Sequence, residues 1–293
     1  MFSFFFFFLL INFFILIFYK KISIKYALFD YPDYQRKIHK EPISLLGGFF
    51  LVTNLIFLFI YYNLSNIFVN LYDFEYFDNY NFFFLITFLF YLIGFLDDKF
   101  NLDHNKKFIL SVILIILTFY FDKDLVIKEL EFTFLKSSFD LGAFRYIITA
   151  LCLLLFINAY NMLDGINGQA TCYALFIFLI LILKYILVSF IGVLFISLLF
   201  FLILNFQNKS FLGDSGTLPL GYMIGYIFIK LYNTSNLFLA DEIFLIMSIP
   251  GYELLRLTIK RILNKKHPFL SDNNHIHHLI GKKCKFVVKF FIY

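Results

Sequence analysis

Four short polar segments interrupt an otherwise apolar chain, and each carries groups that bind cations or phosphates: Asp97-Asp98, Asn158 to Gly168, Gly213-Asp214-Ser215-Gly216, and His275-Ile-His277-His278. Adjacent carboxylates repel unless a cation lies near them, so Asp97-Asp98 suits a hard metal such as Mg2+, or a base acting on a phosphate. As a plain helix end, the same pair would be neutralised by Lys99, Lys106 and Lys107. Asn158, Asn161 and Asp164 recur at i, i+3 and i+6, roughly one face of a helix. A helix C-terminus followed by an Asx turn accounts for Gly165 and Gly168, but not for three amide or carboxylate groups in register. Asn side chains recognise amide, uracil-like and phosphate groups; Asp binds a ribose, an amine or a metal.

Asp214 and Ser215 put a carboxylate and a hydroxyl in a tight turn at the start of a span, where backbone amides attract phosphate. The bland alternative is an N-cap. The histidine triplet lies in a basic tail with only Asp272 and His267 nearby as extra zinc ligands. Imidazolium groups there would instead neutralise a pyrophosphate. Lys37 and His39 belong to the early basic run Arg36 to Lys40, which would attract anionic lipid or an anionic substrate at the bilayer surface.

The elements that must position these groups are apolar helices. Hydrophobic residues make up 61% of the chain, 47 of its 293 residues are Phe, and the mean hydropathy is +0.82, which excludes an ordinary soluble domain. The fold class expected is all-α: a polytopic membrane protein of about nine helices, near 2–19, 44–62, 82–96, 108–121, 142–157, 172–184, 186–204, 216–232 and 240–258. The run Phe2 to Phe18 lacks a basic flank and a small-residue cleavage site, so it reads as a retained helix. Cys152, Cys172 and Cys284 are scattered and imply neither a disulfide framework nor a zinc site.

Placing the loops alternately on two sides of a membrane puts 19 of the 25 Lys and Arg residues on one side and 6 on the other. By the positive-inside rule the basic side is cytoplasmic. All four polar segments then face the cytoplasm. The acidic loops opposite read as solvated connectors, and Glu129 to Leu135 as a short hairpin strand. Gly221 and Gly225 are spaced for close helix packing.

Together the segments resemble the polyprenyl-phosphate N-acetylhexosamine-1-phosphate transferase family. Asp97-Asp98, Asn158-x-x-Asn161-x-x-Asp164-Gly165, Phe211-Leu-Gly213-Asp214-x-Gly216 and His275-Ile-His277-His278 match its motifs in order, and Arg36-Lys-Ile-His39 with Gly47-Gly48 is similar to its first cytoplasmic loop. The resemblance implies one membrane-embedded transferase domain over 1–293 in the plasma (inner) membrane, with its active site at the cytoplasmic face. The implied reaction moves a sugar-1-phosphate, N-acetylglucosamine-1-phosphate by the histidine pattern, from a UDP-sugar to polyprenyl (undecaprenyl) phosphate. It releases UMP and initiates cell-surface polysaccharide. The implied roles are catalysis by Asp97, Asp98 and Asp214, and substrate binding by Asn158, Asn161, Asp164, His275, His277, His278, His39 and Lys37. Mg2+ (or Mn2+) would be held by Asp214 and Asp164.

The expected partners are the UDP-sugar, the lipid phosphate and the membrane, with a homodimer as a possible assembly and no nucleic acid. Two departures stand out: Asn167 replaces the family's second Asp, and Ser271-Asp272-Asn273 replaces Pro-Asp-Arg. The tail Lys285 to Tyr293 is too short to span, so the family's C-terminal span is expected to be missing. A phospho-N-acetylmuramoyl-pentapeptide transferase of peptidoglycan synthesis is the near alternative. A secondary transporter of an anionic solute is the distant one. Acids at one membrane face favour an enzyme; acids at the midplane favour a transporter.

Overall fold

The computed structural model describes residues 2–32, 41–65, 80–235 and 237–263. Among them are nine helices: α1 (Phe2–Tyr26), α2 (Gly47–Ser65), α3 (Tyr80–Phe100), α4 (His104–Phe121), α5 (Arg145–Leu163), α6 (Gln169–Leu183), α7 (Val188–Phe206), α8 (Asp214–Ser235) and α9 (Ala240–Leu263). The protein is an all-α polytopic membrane protein, and six of these helices are long and apolar enough to cross a bilayer by length and composition. α6 is shorter, while α8 and α9 each carry an internal proline and more polar residues.

The helices reach past the apolar runs in a consistent way. α1 continues through Lys20, Lys21 and Lys25; α3 includes Asp97 and Asp98; α4 begins early enough to include Lys107; α5 includes Asn158 and Asn161. Hydropathy marks where hydrocarbon ends. Backbone hydrogen bonding continues beyond that border, so charged residues expected in loops occupy terminal helical turns instead.

α8 is the axis of the fold. Every residue from Ser215 to Tyr232 is buried, mainly by α3 and α5. A helix surrounded by protein has no lipid to match, which explains how α8 tolerates Gly, Pro219, Tyr and Lys230. A Cβ added at Gly221 would lie 3.1 Å from Ile157 Cα, so this glycine lets α8 lie close against α5. At the periphery, α1 has only 17% of its span buried and presents Phe and Leu outward. It is tied in by buried amides: Asn12 and Asn54 exchange two hydrogen bonds of 2.9 Å, and Asn54 also donates to Ser197 Oγ of α7 at 3.1 Å.

A small sheet lies at the end of the bundle where α8 starts. β1 (Phe29–Asp30) pairs antiparallel with β2 (Ile43–Leu45), and β2 pairs parallel with β5 (Ser210–Phe211). At the opposite end β3 (Glu129–Leu130) and β4 (Phe139–Asp140) form the hairpin anticipated in the acidic loop, shorter than the run Glu129 to Leu135 implied.

Candidate active site

Three helix ends converge where α8 begins. Gly213 adopts a positive φ of 68°, and its carbonyl accepts the amides of Gly216 and Thr217, which turns the chain from β5 into α8. The next residue, Asp214, is thereby delivered to the helix N-terminus. The last turn of α3 meets it. A Cβ on Gly94 would come within 2.2 Å of Asp214 O, so only glycine permits this approach. Asp98, one turn later, accepts the backbone amides of Asp214 at 2.8 Å and Ser215 at 3.0 Å, one on each carboxylate oxygen. Asp98 is therefore the cap of α8: an anion on unpaired amides at the positive end of a helix. Asp214 itself caps nothing, and its side chain is turned to other partners.

Those partners are Lys107 and Asn161. Lys107 Nζ, in the first turn of α4, is 3.0 Å from Asp97 Oδ2 and also hydrogen-bonds Asp214 Oδ2. A lysine at a helix N-terminus opposes the dipole by about 0.3–1 kcal/mol. Its position is therefore explained by the acids it faces rather than by its own helix. Asn161 Nδ2 lies 3.4 Å from Asp214 Oδ2, and its carbonyl accepts Thr217 Oγ1–H at 2.6 Å, which fixes the amide's orientation. The side chains of Lys107, Asp97 and Asp214 keep 14%, 18% and 22% of their exposure, so the cluster opens at a rim instead of being sealed.

Asp164 lies just past the end of α5. Burial, then the charges of Asp214 and Asp98, push its carboxyl up to about 7, against a favourable hydrogen bond from the Gly213 backbone. The nearby positions split. Asn158 donates back to the Leu154 carbonyl at 2.8 Å and shows no hydrogen bond to the acids. Asn167, the departure from the family pattern, donates to Asn208 Oδ1 and ties the loop after α5 to the turn before β5. Lys37, His39, His275, His277 and His278 lie outside the described residues.

Sequence reasoning treated Lys107 only as a neutralising neighbour and passed over Thr217. The signal for Lys107 was a cation at the polar start of an apolar run; nothing in its spacing pointed to Asp214, more than a hundred residues away. The set Asp97, Asp98, Asp164, Asp214 and Lys107 combines four carboxylates with one ammonium. Carboxylate oxygens are hard donors of the kind Mg2+ prefers. Among the described residues no group of three or more His, Cys, Asp or Glu is already arranged around a metal position, and Lys107 hydrogen-bonds both Asp97 and Asp214.

Residues 80–232, just over half of the chain, match the sequence model of glycosyl transferase family 4. The chain belongs to this family. Among its relatives, it is 29% identical over 276 residues to a probable undecaprenyl-phosphate N-acetylglucosaminyl 1-phosphate transferase of Bacillus subtilis (strain 168), covering 88% of this chain and 71% of the relative. It is 26% identical over 288 residues to the undecaprenyl-phosphate alpha-N-acetylglucosaminyl 1-phosphate transferase of Escherichia coli (strain K12), covering 90% and 72%. The enzyme of the same name in Salmonella typhi is 24% identical over 287 residues, covering 89% and 71%. The glycosyl transferase family 4 region runs from α3 to α8 and contains every residue of the carboxylate cluster.

Proposed function

We propose that the protein transfers N-acetylglucosamine 1-phosphate from UDP-N-acetylglucosamine to undecaprenyl phosphate, releasing UMP. The observation that carries this reading is the meeting of Asp97, Lys107, Asn161 and Asp214 at the ends of four helices, within the region matched by glycosyl transferase family 4. The names of the relatives supply the donor sugar and the lipid. All four acids sit at helix ends or in the adjoining loop, away from midspan, which favours an enzyme working at the membrane surface over a transporter.

An oxygen of the lipid phosphate attacks the phosphorus that bears the sugar, and the bond from that phosphorus to the UMP oxygen breaks. Both reactants are anionic, so charge neutralisation and in-line placement matter more than covalent help. Asp97 is the acid that would orient the lipid phosphate or take its proton once Lys107 releases it, since Asp98 is committed to the α8 amides. Lys107 brings a cation to the phosphates when it leaves Asp97 or Asp214. Asn161, held by Thr217, presents its NH2 to the donor, and Asn158 lies one helical turn before it. His275, His277 and His278 would stabilise the diphosphate, and Lys37 and His39 would hold substrate.

Four carboxylates against one ammonium leave the site negative, which would repel both substrates. Asp214 and Asp164 are the residues that would hold Mg2+ (or Mn2+), which when bound supplies the missing positive charge. The site would face the cytoplasm of the plasma (inner) membrane, in keeping with the basic loops on its side.

The reaction is tested by UMP release from UDP-N-acetylglucosamine with undecaprenyl phosphate in detergent. Release should require both substrates, and a UDP-muramoyl-peptide should not replace the donor. A protein that binds neither and turns over neither overturns the reading. Orientation is tested by single cysteines at Asp103 and Glu131: an impermeant reagent applied to intact cells should label the second and spare the first.

A further inference from the structure

The apolar run of α1 gives way at Tyr19, Lys20 and Lys21. An aromatic residue followed by lysines marks the headgroup level of a bilayer. At this level a cavity of about 600 Å³ lies between the end of α1 and the β1–β2–β5 sheet. Ile24, Phe29 and Ile43 give it an apolar wall, and Ile24 is 69% exposed on the outside of the bundle. Lys20, Lys209 and Asn208 give it a polar rim. Lys209 Nζ donates to Gln207 Oε1 at 2.6 Å, a partner that carries no charge. Glu41 is the one carboxylate in the lining, so two lysines and one glutamate leave the described lining with one net positive charge. The carboxylate cluster is built from α3, α4, α5 and α8, and shares no residue with this lining.

A cavity with one apolar, outward wall and one cationic rim, set at the membrane border, suits an amphiphile with a single negative charge. A soluble anion would leave the apolar wall uncovered, and a zwitterionic headgroup would bring no net charge to the rim. We propose that this cavity is a binding site for an anionic glycerophospholipid of the phosphatidylglycerol type, separate from the site of the carboxylate cluster. Its lining is also part of the scaffold of Asp214. Ser44 Oγ donates to the Lys209 carbonyl at 2.6 Å, Ser44 and Leu45 pair with Ser210 and Phe211, and Leu212 leads from there to Gly213-Asp214. Lipid bound against Ser44 and Lys209 steadies the strand pair that delivers Asp214 to α8.

The test uses the full chain in nanodiscs made of equal parts phosphatidylglycerol and phosphatidylcholine. The protein is then extracted in detergent, and the retained lipid is quantified by mass spectrometry. Wild type should retain phosphatidylglycerol in preference to phosphatidylcholine. Lys20→Gln/Lys209→Gln should retain roughly thirtyfold less, since each lysine near an anionic surface contributes roughly a fivefold step and the two steps multiply. Lys128→Gln/Arg145→Gln, which removes the same charge at the opposite end of the bundle, should retain as much as wild type.

Equal retention by Lys20→Gln/Lys209→Gln and wild type overturns the site, as does equal loss in both double variants, which would reduce the effect to net charge. Competition separates the sources of the phosphate. Undecaprenyl phosphate or inorganic phosphate should leave retained phosphatidylglycerol in place. Displacement by the first would make the cavity the acceptor's own site, displacement by the second a soluble-anion site, and either outcome defeats the proposal. The readout is lipid retention, so it stands or falls independently of whether the transferase reaction is observed.

Discussion

α4 and α8 are linked by an ion pair at each end, and the two pairs differ in every property except the residues that make them. At the end remote from the carboxylate cluster (the outer pair), Lys230 of α8 has no exposure and Asp122, just past α4, has 9%. Lys230 Nζ lies 2.8 and 3.1 Å from the two oxygens of Asp122, and Tyr226 OH donates to the same carboxylate. One turn earlier Tyr222 OH is 3.3 Å from Thr118 Oγ1. At the cluster end (the inner pair) the polarity is reversed: Lys107 is on α4 and Asp214 on α8, with Asp97 as a second acid. These side chains stay partly exposed, and two further carboxylates, Asp98 and Asp164, crowd around them. Along α8 the two pairs are 16 residues, or about 24 Å, apart. The outer pair is balanced, closed and satisfied, as a structural tie must be. The inner one is open and carries surplus negative charge. That contrast, rather than the presence of an ion pair in a membrane helix, distinguishes a site from a strut.

If the inner surplus is what a divalent cation answers, removing the cation is the harshest way to probe the difference. Thorough chelation with EDTA should abolish UMP release, and Mg2+ or Mn2+ should restore it, while the outer pair gives chelation no reason to unfold the protein. Undiminished turnover in a chelated sample would remove the metal from the mechanism. The next largest effect is expected from Asp214→Asn. The substitution keeps size and removes charge, and should lower kcat by roughly a hundredfold or more. The helix-cap explanation for this aspartate predicts almost no change, because Asn caps as well as Asp. Since Asp98, not Asp214, occupies the cap, near-wild-type turnover at matched expression would leave Asp214 with no role.

The outer pair should respond in the opposite currency. Lys230→Met strands the Asp122 carboxylate in a buried place and should destabilise the protein by about 3–5 kcal/mol, with kcat per folded molecule changed no more than a few-fold. Adding Asp122→Asn should recover most of the loss, because both members of a buried pair then leave together. Unfolding monitored by tyrosine signals in detergent measures this. A variant of normal stability that has lost turnover would turn the outer pair from strut to site.

The sequence made these two ends unequally legible. The inner acids stood in glycine-punctuated breaks, and their types and order pointed to phosphate chemistry before any geometry was known. Six of the nine described helices were legible because a hydrocarbon-sized apolar run leaves little choice of structure. Lys230 and Asp122 gave no comparable signal: one is a lone lysine in a span, the other an aspartate at a loop edge, and their pairing depends on how α4 and α8 are rotated. The division of labour within Asp97-Asp98 was hidden for the same reason. Neighbouring residues on a helix point about 100° apart, so one of the two reaches α8's amides and the other reaches Lys107, but the sequence does not say which.

That division yields the smallest and sharpest expected difference. Both Asp97→Asn and Asp98→Asn should lose activity, the first because the carboxylate facing Lys107 is gone, the second because the α8 N-terminus and Asp214 are no longer held. Stability should separate them. Asp98 accepts two backbone amides at 2.8 and 3.0 Å, one per oxygen, at the positive end of a buried helix. An Asn there keeps one acceptor, turns an NH2 toward the other amide and removes the charge that the dipole favours. The cost should be about 1–2 kcal/mol. Asp97 makes no such contact with the backbone: its carboxylate shares Lys107 with Asp214, and neutralising it leaves Lys107 one full partner while easing repulsion between two acids. Asp97→Asn should therefore unfold at or above the wild-type midpoint, and Asp98→Asn below it. The reverse order would mean that Asp97 is the structural member of the pair and Asp98 the one open to substrate, and the roles assigned to the two neighbours would have to be exchanged.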